Sequence, residues 1–213
     1  MFSITITLVI IIITCIISIT AFSNQKIIND LIFYPPAVSQ NKQWYRLFSY
    51  GLIHADFIHL AFNMYVLYGF GESLELAFAT LFGASLGKIM YLLLYVLGLL
   101  FSIIPTYKKN QNNSGYSSLG ASGAVSAVLF ACIVLYPTSK LGMLFIPGLK
   151  IPAYIFGGVY LGISYYLSKK GTSNINHEAH YWGAVFGIVF TMLTTYFIAN
   201  YPVFTSFINQ ITN

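Results

Sequence analysis

"SSLGASGAVSAVLFACIVLYP" occupies residues 117–137 and carries no charged side chain. A helix that crosses the hydrocarbon of a bilayer needs about 20 mostly apolar residues, and this stretch meets that requirement. Near its start stands Gly120-Ala121-Ser122-Gly123, a serine among small residues. Such a serine has two ordinary uses, helix capping and close helix packing, and one chemical use, as a nucleophile. Which applies depends on what faces Ser122.

The rest of the chain has the same character. Of 213 residues, 57% are hydrophobic and 7% charged, where an ordinary soluble domain has about 25% charged residues. A water-soluble fold so poor in charge could not cover its surface, which points to an all-α, polytopic membrane protein. Six spans are expected, near 2–22, 55–74, 83–105, 119–137, 150–168 and 178–199, forming one membrane domain over 1–213 with no soluble domain. The first run has no Lys or Arg before it and a core too long for a signal peptide, so a retained span is expected. Residues 23–54, with Pro35, Pro36, Trp44, Tyr45 and Arg46, suit a structured loop at the membrane interface. Residues 107–118 and 168–178 are loops by composition. The net charge is +5 but no basic run exceeds two residues, which suggests lipid headgroups and excludes a nucleic-acid surface. Cys15 and Cys132 lie in apolar runs, where a free thiol packs as a small hydrophobe, and they provide neither a disulfide framework nor a metal set.

Six antiparallel spans impose a parity. The second, fourth and sixth run in one direction, so their N-terminal ends share a membrane face. His59 and Asn63 lie near the start of the second, Ser122 of the fourth and His180 of the sixth. Each falls on the order of 5–12 Å below its helix end at 1.5 Å per residue. Polar side chains within lipid usually face a cavity and mark function.

His180, Gly183 and Gly187 share a helical stripe, and the two glycines form a G-x-x-x-G that admits a close neighbour. Gly120, Gly123, Ala124 and Ala127 offer a matching small face. Packing the two faces together would bring Ser122 to His180, a nucleophile to its general base. His59 and Asn63, four apart, share a face and could donate to the oxyanion of acyl transfer, along with the Ser122 backbone N–H. The alternative for each is plain packing or an interhelical hydrogen bond. The elbow G-x-S-x-G is absent, Lys88 starts the third span at the opposite face, and Glu178 stands two residues from His180 and so points elsewhere. A two-residue dyad is the simpler expectation.

These residues resemble the rhomboid family of intramembrane serine proteases. "QWYRLFSYGLIHADFIHLAFNMYVLYGFGESLE" (43–75) is similar to the family's loop and second span. It holds a tryptophan–arginine pair (Trp44, Arg46), the spacing H-x-x-x-x-H-x-x-x-N (His54, His59, Asn63) and F-G-x-x-x-E (Phe70, Gly71, Glu75). "GASG" (120–123) resembles the nucleophile motif, and "AHYWGAVFG" (179–187) the sixth-span motif. The resemblance implies Ser122 as nucleophile, His180 as base, and His59, Asn63, Gly120 and the Ser122 backbone around the oxyanion. It implies structural roles for Trp44, Arg46, His54, Glu75, Gly123, Gly183 and Gly187. It implies transmembrane protein substrates within the bilayer, no metal or organic cofactor, and a plasma membrane with the site toward the outer face; oligomeric state stays open. His177 is expected on the rim. Family members often carry an aromatic residue four after the nucleophile, packed on the histidine; here Ser126 stands in that place.

Charge argues against that orientation. The loops on the active-site face carry seven basic residues (Lys26, Lys42, Arg46, Lys108, Lys109, Lys169, Lys170), the other face three (Lys88, Lys140, Lys150), and basic residues favour the cytoplasmic side. The resemblance is preferred, because the first span has no flanking charge and Arg46 lies in a folded loop. Two rival classes are an inactive rhomboid-like scaffold and a haem carrier using His54, His59, His177 and His180.

Overall fold

A computed structural model describes residues 4–142, 148, 150–170 and 175–212. Residues 2–3 of the expected first span and 171–174 of the expected last loop lie outside the described residues. Helix α1 spans Ile6–Phe22, its first turn capped by Thr5, which accepts the Leu8 N–H. The stretch that follows folds into α2 (Gln25–Leu31), α3 (Pro35–Asn41), α4 (Arg46–Ser49) and a 3-10 turn at Tyr50–Leu52. Asn24 caps α2, and α3 begins with proline, whose missing amide costs nothing in a first turn.

The long helices follow. Helix α5 runs Phe57–Phe82 with Asp56 accepting the His59 N–H at its start. It exceeds the expected 55–74 by two turns, because no breaker precedes Gly83. Helix α6, Ala84–Asn110, passes through Pro105 and so takes in Lys108 and Lys109, which composition had placed in a loop. Among the described helices it is the one long and apolar enough to cross a membrane by itself. Helix α7, Ser122–Leu135, begins three residues later than expected: Leu119–Ala121 form an irregular approach, and Ser122 is the first helical residue. Helix α8 spans Ala153–Lys170 and α9 His177–Phe197, the latter capped by Asn176. Two features add to the expectation of six spans, and the first of them departs from an all-α fold. A short antiparallel pair, β1 (Lys140–Gly142) and β2 (Lys150–Pro152), precedes α8, with Leu141 opposite Ile151. A final helix, α10, occupies Val203–Thr212.

The bundle is built around α7. Every residue from Gly123 to Leu135 is buried, as expected for a helix that is apolar on all sides. The surrounding helices turn large apolar side chains outward: Ile12 and Ile16 on α1, Leu76 on α5, Ile89 on α6, Val159 on α8 and Leu193 on α9. So much outward apolar surface suits a hydrocarbon solvent.

Helix α9 approaches α7 backbone to backbone. A methyl group on Gly183 would strike the Gly123 carbonyl, and one on Gly187 the Ala127 carbonyl. Close approach of this kind requires glycine at both positions. Gly187→Ala should therefore force the two helices apart and lower stability by about 1–3 kcal/mol. Gly162→Ala on α8, where nothing lies within 4 Å of the new methyl, should change it by no more than about 1 kcal/mol. Thermal unfolding in detergent measures both; equal effects would refute the tight contact.

Candidate active site

The glycine contact fixes the geometry of the site. Gly183 lies three residues after His180, and Gly123 directly follows Ser122, so seating Gly183 on Gly123 carries the two polar side chains together. His180 Nε2 stands 2.8 Å from Ser122 Oγ. Both are half-buried, so the pair is neither sealed nor open to bulk water. Ser122, Gly123 and Ala124 lead helix α7, where amides have no acceptor within the helix and carry the positive end of its dipole.

The approach to Ser122 is tied down residue by residue. Ser118 and Phe33 exchange two backbone bonds, each 3.0 Å. The Gly120 N–H donates to the Tyr50 carbonyl (2.9 Å) and the Ala121 N–H to His54 Nε2 (3.3 Å). Gly120 adopts φ +110°, a conformation that favours glycine, and the His59 ring occupies the space a side chain would need: a Cβ there would lie 2.6 Å from His59 Cε1.

These bonds assign the histidine tautomers. An amide can only donate, so Ala121 N–H makes His54 Nε2 an acceptor and places the proton on Nδ1. That proton points to Ser18 Oγ of α1 (3.0 Å), and the serine hydroxyl donates onward to the Leu52 carbonyl (2.8 Å). His54 thus links α1 to the loop holding Ser122. Likewise the Ala55 N–H donates to His59 Nδ1 (3.4 Å), so the proton of His59 is on Nε2, and the ring lies against Gly120. Asn63 is buried and gives one amide hydrogen to the His59 carbonyl (2.9 Å); its side-chain amide carries a second. Among the described residues no hydrogen bond joins Asn63 to Ser122 or His180.

The remaining candidates lie outside this cluster. Arg46 is buried, and its guanidinium donates to the carbonyls of Asn29 (2.8 Å) and Ile32 (2.7 Å) at the end of α2. Trp44 is exposed and meets the Tyr107 ring edge-on. Glu75 accepts the N–H groups of Ile6 (3.0 Å) and Thr7 (3.1 Å), clamping the start of α1 to α5. Glu178 turns to Thr106 (2.8 Å) and away from His180. His177 meets the His180 ring edge-on at 5.8 Å. Both nitrogens of His54 are engaged, so it has no lone pair left for a haem iron.

One residue of the site was missed from sequence. Tyr160 of α8 stacks on His180, with ring centroids 6.4 Å apart and planes 25° apart. Its hydroxyl lies 2.7 Å from Ser126 Oγ, and Ser126 donates to the Ser122 carbonyl (2.8 Å). A ring therefore covers His180 although position 126 is serine. Tyr181 packs elsewhere, on Tyr165 and Trp182. Tyr160 lies on the inward stripe of α8 with Ala153, Phe156, Gly157 and Ser164, whereas Tyr154, Tyr165 and Tyr166 are exposed; the spacing marks the inward face, but not which residue of another helix the ring meets.

Comparison with known proteins gives a match to the rhomboid domain over residues 41–197. Over 136 residues, 63% of the chain, it is 31% identical to presenilin-associated rhomboid-like protein A, mitochondrial, of Danio rerio, covering 33% of that protein. It is 33% identical over 144 residues (62% of the chain) to RHOMBOID-like protein 12, mitochondrial, of Arabidopsis thaliana, covering 40% of it. A putative rhomboid protease, YdcA, of Bacillus subtilis is 29% identical over 155 residues, 72% of this chain and 68% of that one. The chain thus spans well under half of the first two relatives. Their names place those two in mitochondria, which stands against the expectation of a plasma membrane.

The tautomer assignment is open to measurement. Nitrogen–proton NMR correlation through the imidazole rings should show His54 protonated on Nδ1 and His59 on Nε2. The reverse pattern at either ring would remove the hydrogen bonds from which the site has been built.

Proposed function

The chain belongs to the rhomboid family, and on that premise we propose that it is an intramembrane serine endopeptidase, with Ser122 as nucleophile and His180 as general base. The observation that supports this most is the 2.8 Å approach of His180 Nε2 to Ser122 Oγ at the head of the central helix.

The bundle crosses its membrane six times, through α1, α5, α6, α7, α8 and α9, as one domain over 1–213. Helix α7 has 14 residues and is about 21 Å long, shorter than the roughly 30 Å of hydrocarbon. Ser122 at its head accordingly sits below the membrane surface, on the face where α5 and α9 also begin. We place that face on the outer side of the membrane. Arg46, one of the basic residues that argue otherwise, is spent on internal carbonyls.

Catalysis then follows from the bonding. In the resting state His180 Nε2 is the unprotonated nitrogen and accepts the Ser122 O–H. As Oγ attacks the scissile carbonyl of a substrate, the proton passes to Nε2. The carbonyl becomes an oxyanion, met by the Ser122 N–H, His59 Nε2–H and the second amide hydrogen of Asn63. Each such donor contributes about 3–4 kcal/mol to transition-state stabilisation. His180 next returns the proton to the departing amine, leaving an acyl group on Ser122. A water entering from the same face, deprotonated by His180, releases it. The half-burial of both residues supports such access.

The substrate class is a transmembrane or membrane-anchored protein. Its segment must unwind locally at the site, because a helical backbone engages each carbonyl in a hydrogen bond along the axis and shields it from attack. Glycine or other weak helix formers near the cut make that cheaper, by up to about 1 kcal/mol per residue.

Cleavage of a single-span substrate in liposomes tests the proposal. Ser122→Ala and His180→Ala should each lower kcat by at least about 10³-fold while the protein stays folded. Substantial cleavage by either variant contradicts the assignment. No turnover by the wild type on any single-span substrate would favour a non-catalytic membrane scaffold.

A further inference from the structure

We propose that Tyr160 is the positioning residue of the dyad, holding His180 with its ring and the backbone of Ser122 through its hydroxyl. The proposal rests on the Ser122–His180 reading given above.

The hydrogen-bond directions follow from counting protons. Ser126 has a single hydroxyl hydrogen, and its geometry directs that hydrogen to the Ser122 carbonyl one turn back (2.8 Å). Toward Tyr160, 2.7 Å away, Ser126 Oγ can then only accept. The chain of donation runs from the Tyr160 O–H to Ser126 Oγ and from the Ser126 O–H to the carbonyl of the nucleophile itself. The same tyrosine lays its ring on the imidazole at 6.4 Å, within the range of offset aromatic contacts. One side chain of α8 thereby reaches both members of the dyad, which come from α7 and α9.

The ring is itself held. Phe130 of α7 meets it at 5.4 Å and Phe156, one turn back on α8, at 5.9 Å. Gly157 lets α8 come this close: a Cβ there would already stand 3.3 Å from Phe130 and Ile133. Position 126 is buried and faces the tyrosine hydroxyl, so a small polar residue there and a large ring at 160 are complementary. The arrangement limits rotation of the imidazole about its side-chain bonds and covers one of its faces. Misplacement of a catalytic group by about 1 Å can cost a hundredfold in rate, so such restraint bears on turnover rather than on substrate binding.

The test is steady-state cleavage of one single-span substrate by the full chain in liposomes. It compares wild type, Tyr160→Leu, Tyr160→Phe, Ser126→Ala, the Tyr160→Phe/Ser126→Ala double variant and Ser122→Ala. Tyr160→Leu should lower kcat about tenfold or more with KM within about twofold of wild type. Tyr160→Phe keeps the ring and loses only the bridge, as does Ser126→Ala; each should lower kcat about threefold. The double variant should be no slower than either single one, since all three lack the same bond. A purely structural tyrosine would alter the amount of folded protein and leave kcat per folded molecule unchanged. Turnover by Tyr160→Leu within twofold of wild type, with Ser122→Ala inactive, overturns the proposal and leaves the dyad standing. Wild-type turnover by Ser122→Ala overturns the dyad and this proposal with it. Should Tyr160→Leu fail to fold, the volume-conserving variants decide: additive losses, or no loss, overturn the proposal.

Discussion

Everything at the site depends on one contact between two backbones. Helix α9 reaches α7 closely enough that a methyl group at Gly183 or Gly187 would meet a carbonyl of the facing helix. Ser122 and His180 lie 58 positions apart in the chain, and no local interaction could bring them together. The glycine seam does so by acting at almost the same level as the polar pair, within one turn of it. In hydrocarbon there is little hydrophobic force between helices, so close packing of small residues must supply the association. A rigid seam next to Ser122 and His180 also sets their spacing, because displacing the helices would separate hydroxyl and imidazole by a comparable amount.

Around that seam, polar groups inside the bundle act as ties between elements far apart in sequence. Glu75 holds the start of α1 through two backbone amides, while Thr7 binds both Glu75 (3.1 Å) and Tyr91 (2.8 Å). His54 connects Ser18 to the amide of Ala121. Arg46 closes the interfacial stretch by satisfying two carbonyls that a helix end leaves open. A buried polar group without a partner is costly, so these ties are specific as well as stabilising: each has one arrangement that satisfies all its members. The tie from Tyr160 to Ser126 to Ser122 extends the same logic to the outer helix α8.

Much of this was legible in the sequence, for identifiable reasons. Apolar runs mark helices because hydrocarbon admits little else, and spacings of three and four mark shared faces, which is why His180, Gly183 and Gly187 could be read as one stripe. Rhomboid membership followed from motifs distributed over most of the chain, and the match over residues 41–197 agrees. Helix ends were read less well. Ser122 heads its helix rather than lying inside it, because the chain descends to it through Gly120 at φ +110°, a turn that composition does not reveal. The lysines at 108 and 109 looked like a loop, yet α6 passes through Pro105 and continues to Asn110. Tyr160 shares the inward stripe of α8 with Ala153, Gly157 and Ser164, so its facing was readable, but its partners on α7 and α9 are set by packing between elements far apart in the chain. The plasma-membrane expectation came from the family resemblance, against the distribution of basic residues, and neither distinguishes one membrane from another.

The most direct test of the central claim is an experimental structure of the protein after reaction with a fluorophosphonate. The account predicts phosphorus bonded to Ser122 Oγ, with a phosphoryl oxygen lying between the Ser122 amide and His59 Nε2 and the His180 ring still beside Oγ. Modification at another residue, or at Ser122 with His180 turned away and the oxygen far from His59, would contradict it.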